Sequence, residues 1–172
     1  MPVVDCNGPI ENPWVTLADD TSVTDGVPTI VFMDHLKNHQ HSLFAQGSGV
    51  GVEIEGDVDL NELKPFLSQL SLVVVRFDSL KDGRPFSIGR LLRERYDYKR
   101  DLRAAGPFIP DQVLFLLRCG FTSFDVGENF SMSTLKRTLA AYSLWYQRAS
   151  DRTATILDVR HDTSVAAKNG NN

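Results

Sequence analysis

The stretch LVVVRFDSLKDGRPFSIGRLLRERY, residues 72–96, decides the fold class. It begins with LVVVRF, a continuous apolar run of the type found in strands that are buried in parallel sheets. An Asp-Gly-Arg turn follows, and the next residues predict a helix with one apolar face, formed by Ile88, Leu91, Leu92 and Tyr96. A strand, a short turn and an amphipathic helix in this order predict one βα unit of a parallel sheet.

The same order of elements recurs about five times along the chain. The predicted strands cover residues 28–33, 50–56, 72–77, 101–106 and 122–126. The predicted helices cover residues 34–47, 59–70, 85–96, 110–121 and 131–147. Asp34 is the expected N-cap of the first helix, and Pro65 should interrupt the second.

We therefore predict an α/β fold with a parallel sheet, in which the strand order stays open. A sequential order gives a partial (β/α)-barrel, and a reversal of the order gives a doubly wound sheet. The positions of Gly, Pro and polar residues along the chain predict three regions. They are an irregular N-terminal segment over residues 1–27, an α/β domain over 28–148 and a polar C-terminal tail over 149–172.

Composition and charge exclude several classes of protein. The formal net charge of −4 disfavours general binding of nucleic acid, which needs an excess of Lys and Arg to neutralise phosphates. No apolar run is long enough to cross a bilayer, and the first residues lack the pattern of a signal peptide. Cys6 and Cys119 form neither a disulfide framework nor a metal-binding spacing. We expect a reduced, cytoplasmic protein that carries no chromophoric cofactor and no tightly bound metal.

Ligands of parallel α/β folds bind at the carboxyl ends of the strands, which directs attention to the turn after residue 77. In Asp82-Gly83-Arg84, we expect Gly83 to take a backbone angle that other residues resist. Asp82 can accept hydrogen bonds from the amides of the turn, and Arg84 stands at a helix N-terminus that favours an anion. The alternative is an ordinary βα turn in which Asp82 pairs with Arg84 or Arg103, and turn chemistry favours this alternative.

Three further polar residues lie near the predicted carboxyl ends. Arg103 lies within its short strand and can point into the layer of side chains at the top of the sheet. Asp111 and Gln112 occupy the first turn of a helix. There they can serve as acid, base or orienting groups, but capping of the helix is the simpler role. The sequence assigns no catalytic residue and no metal ligand.

Residues 82–126 resemble a bacterial family, the domain-of-unknown-function 934 family. The resemblance lies in Asp82-Gly83-Arg84, Phe86-Ser87, Arg90, Leu92 to Arg95, Leu102 to Ala104, Asp111-Gln112 and Arg118 to Phe121. Tyr146-Gln147 also fits the closing helix of the family. Agreement is dense from about residue 72 to about residue 126 and loose elsewhere.

The resemblance implies a link to sulfite reduction. Genes of the family commonly lie beside a gene for a sulfite or nitrite reductase haemoprotein, and family members are labelled as oxidoreductases of sulfite reduction. This chain departs from the pattern at three acidic positions. The family's glutamate before the strand arginine is Asp101 here, its aspartate after the Gly-Phe pair is Thr122, and its aspartate before the Asp-Gln pair is Pro107. These departures within residues 97–101 and at Thr122 bear on whether this member has the activity of the others.

Two functions from different classes follow. In the first, the protein is an accessory protein of sulfite or sulfate reduction that contacts a reductase and has no redox group of its own. In the second, it is a small oxyanion-binding α/β enzyme with its site at the strand carboxyl ends. The second function would use Asp82, Arg84, Arg103 and Asp111.

Overall fold

A computed structural model describes residues 2–17, 26–79, 81–128, 130–151 and 153–161. Its strands are β1 (Val3–Val4), β2 (Pro9–Ile10), β3 (Val15–Thr16), β4 (Thr29–Phe32), β5 (Val50–Ile54), β6 (Leu72–Arg76), β7 (Asp101–Ala105) and β8 (Ser123–Asp125). Its helices are α1 (Met33–Ala45), α2 (Leu60–Leu63), α3 (Arg84–Glu94), α4 (Pro110–Arg118), α5 (Met132–Ala140) and α6 (Ile156–His161). A 3-10 turn, Lys64–Phe66, follows α2 directly.

The strands form one eight-stranded sheet in the order β2-β1-β8-β7-β6-β5-β4-β3. The strands from β3 to β8 are parallel and follow one another in chain order, whereas β1 is antiparallel to both of its neighbours. A sequential order without reversal resolves the alternative that the sequence left open. The fold is α/β with a curled, half-barrel sheet, and it is not doubly wound.

The curl of the sheet follows from one short connection. Ile10 ends β2 at one edge of the sheet, and Val15 begins β3 at the opposite edge. Five residues of extended chain span at most about 18 Å. The seven gaps between neighbouring strands would hold the edges of a flat sheet about 34 Å apart. The sheet must therefore bend until its edges approach each other.

The two faces of the curled sheet differ in what covers them. Alternate residues of the central strands point outward and pack against the helices in the main core, among them Val31, Val52, Val73, Leu102 and Phe124. The other set faces inward and includes a smaller apolar cluster of Ile30, Leu72, Val74 and Ala105, against which Trp14 packs. We use "inner face" for this side of the sheet, on which no helix of the described residues packs.

The N-terminal segment crosses the inner face, although the sequence predicted it to be irregular. Trp14 lies beside Gly51, where an added Cβ would come 3.2 Å from the indole, so the missing side chain makes room for the ring. The two-residue strands β1, β2 and β3 are too short for an alternating pattern to reveal. Residues 18–25 of this predicted segment and residues 162–172 of the predicted tail lie outside the described residues. The division into three regions therefore stays a prediction.

Most predicted elements are present, with two differences at helix ends. Pro65 interrupts the second helix as predicted, because α2 gives way to the 3-10 turn at Lys64. The expected N-cap of α1 is wrong: Phe32 occupies that position, and Asp34 lies in the first turn. The last long helix ends at Ala140 instead of residue 147, because the following residues fold back and Trp145 pairs with Thr155 in a single β-bridge. The longest helix that the structure describes, α1, has 13 residues, short of the ~20 that cross a bilayer.

We expect Gly89→Ala to destabilise the protein although alanine is the better helix former. An added Cβ at Gly89 would lie 2.4 Å from the ring of Phe121, a fully buried side chain of the core. Overpacking of this kind costs about 1–3 kcal/mol, against a gain of about 1 kcal/mol in helix propensity. Thermal melts should show a lower Tm for Gly89→Ala and an unchanged Tm for Gly127→Ala, where the added Cβ meets nothing within 4 Å. A rise in Tm for Gly89→Ala would contradict the packing.

Candidate functional site

The inner face carries a ladder of charged and polar side chains. The strand register places Glu53 of β5 beside Val74, Val74 beside Arg103, and Arg103 beside Ser123. Two residues further toward the carboxyl ends of the strands, and on the same face, Arg76 of β6 lies beside Ala105, and Ala105 lies beside Asp125. Because residues two apart in a strand share a face, these side chains project from one side of the sheet.

Arg103 is the most deeply buried of the charged groups, with 3% of its surface exposed. Its Nε donates to Ser123 Oγ at 3.2 Å, and its Nη1 donates to Asn12 Oδ1 at 3.0 Å. The Asp101 carboxylate lies 3.6 Å from Nη2 and accepts from Ser123 Oγ at 2.9 Å. Burial lowers the pKa of the guanidinium, and the negative charge of Asp101 opposes that effect. Arg103 thus ties β7 and β8 to the segment that crosses the inner face.

Glu53 and Arg76 form an ion pair at the carboxyl-end mouth of the curled sheet. Arg76 Nε donates to Glu53 Oε1, and the two side chains differ in exposure, 7% for Glu53 and 41% for Arg76. Within the described part of the chain, the Nη groups of Arg76 donate to no acceptor. A guanidinium can bind a second anion through these groups while Nε remains on Glu53.

Asp125 lies at the end of β8, at the same level as Arg76. Its Oδ1 is buried and has no hydrogen-bond partner among the described residues. Burial raises the pKa of this carboxyl group, the nearby charge of Glu53 acts in the same direction, and the positive charges of Arg103 and Arg76 oppose them. A buried carboxylate oxygen without a donor is costly, which makes Asp125 a candidate for contact with a ligand.

The predicted group Asp82-Gly83-Arg84 forms a self-contained turn. Arg84 donates from Nη2 to Asp82 Oδ2 at 2.8 Å and from its backbone N–H to Asp82 Oδ1 at 3.0 Å. These hydrogen bonds, the side-chain bonds first, lower the pKa of Asp82. The expected unusual backbone angle of Gly83 is wrong: its φ is −88°, which other residues also adopt, because the Asp82 carboxylate and not a strained glycine closes the turn.

The structure does not bring the remaining predicted residues together. Asp111 accepts a hydrogen bond from Thr138 Oγ1 at 3.0 Å and so joins α4 to α5. Gln112 Oε1 accepts from the backbone N–H of Ile109 at 3.2 Å and caps α4. Arg103 has its own partners on the inner face and shares none with Arg84. An anion-binding role for these residues stays a prediction, while their contacts fit the structural roles.

Sequence reasoning missed Glu53 and Arg76, and it considered Asp125 only as one of three acidic residues, with Asp82 and Asp111, that Arg84 could meet. The signal was present in the strands, because VGVEI, LVVVR and SFD each carry one charged residue near their carboxyl end. Reading these residues as one group required the strand order and register, which bring β5, β6 and β8 to one mouth. The described residues contain no cluster of three or more His, Cys, Asp or Glu that could hold a metal ion.

A comparison with known protein families gives a match. Residues 51–157, more than half of the chain, match the model of a family described as bacterial protein of unknown function, DUF934. The chain belongs to the DUF934 family. This confirms the resemblance seen in the sequence, and the matched range contains β6 to β8 and all of β5 except Val50, with Glu53, Arg76, Arg103 and Asp125. No curated protein matches the chain.

Asp101 and Thr122, two of the positions at which the sequence departs from the pattern of the resemblance, are in contact. Thr122 Oγ1 donates to Asp101 Oδ1 at 2.5 Å and accepts from the backbone N–H of Leu102 at 2.9 Å. A hydroxyl group therefore satisfies the Asp101 carboxylate.

We expect substitution of Arg103 to be far more costly than substitution of Arg84. Arg103→Gln removes a buried cation and leaves Asp101 without its compensating charge, a loss of about 2–4 kcal/mol. Arg84→Gln removes a guanidinium that is 55% exposed and keeps the backbone N–H that donates to Asp82, so the Tm should fall much less. Denaturant unfolding of both variants, with the wild type as reference, measures the difference. Equal losses for the two variants would contradict the assignment of Arg103 as the structural arginine.

We expect Asp125→Asn to stabilise the protein at neutral pH. The folded state holds the proton of Asp125 more tightly than the unfolded chain, because burial raises the pKa of this group. At pH values above the pKa of Asp125 in the folded state, the ionised carboxyl group therefore lowers the free energy of unfolding. At pH values below the ordinary pKa of Asp, this loss disappears. The Tm advantage of Asp125→Asn should shrink as the pH falls from about 8 to about 4. An advantage that is constant or grows toward acid pH would contradict the raised pKa.

Proposed function

We propose that this DUF934 protein is an accessory protein of sulfite reduction in the cytoplasm and acts by docking on a sulfite or nitrite reductase haemoprotein. Family membership supports the proposal through the reductase genes that commonly neighbour genes of the family. The observation that carries it is an aromatic segment displayed at the surface, residues 142–147. Tyr142 and Tyr146 are 61% and 81% exposed, and Leu144 between them is also exposed.

The aromatic segment is anchored by contacts with the end of α4 and with the chain that follows the segment. Arg118 at the end of α4 donates from Nη1 to Asp151 Oδ1 at 2.9 Å, and its guanidinium lies 4.4 Å from the centre of the Trp145 ring. The backbone N–H of Ile156 donates to the carbonyl of Trp145 at 2.8 Å. These contacts fix Trp145, between the exposed tyrosines, and the chain that follows them.

A fixed, exposed aromatic segment suits recognition of another protein. Tyr and Trp bury a large area on binding and lose little side-chain freedom, so they are enriched among the residues that dominate binding energy. A segment already anchored by Arg118 loses little further entropy when a partner covers it. The family match extends to residue 157 and therefore includes this segment.

We expect Tyr142→Ser with Tyr146→Ser to weaken binding to the purified reductase haemoprotein by about tenfold or more, the scale for loss of interface aromatics. Phe115→Ser is the matched control, because Phe115 is equally exposed at 60% but lies on α4. Titration calorimetry with wild type, double variant and control measures the affinities. Absence of binding by the wild type, or equal losses in variant and control, would overturn the docking proposal.

A genetic experiment tests the pathway independently of the docking surface. We expect deletion of the gene to slow growth when sulfate is the sulfur source and to leave growth on cysteine unchanged. Complementation with the wild-type gene should restore growth on sulfate, and complementation with the Tyr142→Ser, Tyr146→Ser gene should not. Equal growth of the deletion strain on both sulfur sources would contradict a role in sulfite reduction.

A further inference from the structure

We propose that the carboxyl-end mouth of the curled sheet, between Arg76 and Asp125, binds a small oxyanion that still carries a proton, such as hydrogen phosphate or hydrogen sulfite. This site differs from the turn around Arg84 that the sequence suggested for an anion. It also does not depend on contact with a reductase.

The register brings the two side chains to the same opening. Arg76 pairs with Ala105 and Ala105 pairs with Asp125, so the three residues occupy one level of neighbouring parallel strands. Two strand spacings separate the Cα atoms of Arg76 and Asp125 by about 10 Å. Ala105 between them contributes only a methyl group, so no long side chain keeps the guanidinium and the carboxyl group apart.

Arg76 supplies the donors for an oxyanion. Its Nε is used by Glu53, and within the residues described its Nη groups are not donors in any hydrogen bond. The side chain is 41% exposed, so a solute can reach these groups. The planar fork of a guanidinium donates two parallel hydrogen bonds to a pair of oxygens on one anion.

Asp125 is the reason why the bound oxyanion must carry a proton. Its Oδ1 is buried and lacks a donor among the described residues, while the residue as a whole remains partly exposed at the mouth. Because Oδ1 itself has almost no accessible surface, a ligand at the mouth meets the exposed part of the carboxyl group, and a proton shared there between ligand and carboxyl group satisfies both partners. The raised pKa of Asp125 is consistent with a group that readily shares a proton.

The charges around the mouth select against an oxyanion without a proton. Glu53 neutralises Arg76, and Asp101 together with Ser123 and Asn12 engages Arg103 below. An added fully ionised oxyanion would then face the Asp125 carboxylate with no proton between them, which is repulsive at short range. Phosphate and sulfate have nearly the same shape, but near neutral pH only phosphate carries a proton. A comparison of phosphate with sulfate therefore separates recognition of the proton on the ligand from recognition of the ligand's size and charge.

The test is titration calorimetry of the intact protein with inorganic phosphate, sulfite and sulfate, near neutral pH and at matched ionic strength. We expect wild type to bind phosphate and sulfite, with sulfate at least about tenfold weaker, the scale for one unpaired buried hydrogen-bonding group. Asp125→Asn can donate from its amide, so it should bind sulfate about as well as phosphate. Arg76→Gln should lose all three anions, and Arg84→Gln should behave like wild type.

The wild-type comparison decides the proposal even if a variant folds poorly. Equal binding of sulfate and phosphate by wild type, or no binding of phosphate and sulfite, would overturn it. Retention of the preference for phosphate in folded Asp125→Asn would also overturn it, because the carboxyl group would then not be the proton partner. None of these results bears on the reductase titration, so failure of this site and failure of the docking proposal remain distinguishable.

Discussion

The short chain between Ile10 and Val15 is the constraint on which the rest of the structure depends. It joins the two outermost strands of an eight-stranded sheet and therefore holds the opposite edges close together. The curl gives the sheet an outer face for the helices and an inner face that they do not cover. Polar residues on that inner face are then screened from bulk water by the curl itself and by the crossing segment with Asn12 and Trp14.

The charged groups of the inner face form ion pairs and hydrogen bonds because they are buried. Arg103 is buried and engages Asp101, Ser123 and Asn12, so removal of the cation would leave an uncompensated charge. Toward the carboxyl ends the partnerships become incomplete, because Arg76 keeps unused donors and Asp125 keeps an unpartnered oxygen among the described residues. This gradient leaves the unsatisfied groups at the end of the sheet where parallel α/β proteins bind ligands.

The aromatic segment beyond α5 represents a separate part of the molecule with a separate physical basis. Arg118 fixes this segment through an ion pair with Asp151 and through contact with the Trp145 ring. The inner face depends on strand register, whereas the aromatic segment depends on a few contacts at the end of one helix. A protein built in this way can combine a small-anion site with a surface for a larger partner.

The sequence by itself determined the α/β class, the parallel strands and most helices, because apolar periodicity and turn residues act over a few neighbouring positions. Family membership was also readable, since the motif residues around Asp82 and Arg103 are contiguous in the chain. The expected angle of Gly83 and the length of the last helix were wrong because a side-chain hydrogen bond and a returning chain overrode local preference. Only the tertiary structure decided the sequential strand order, the curl and the mouth formed by Glu53, Arg76 and Asp125. These three residues lie on different strands, and their proximity depends on pairings between distant segments that no local pattern encodes.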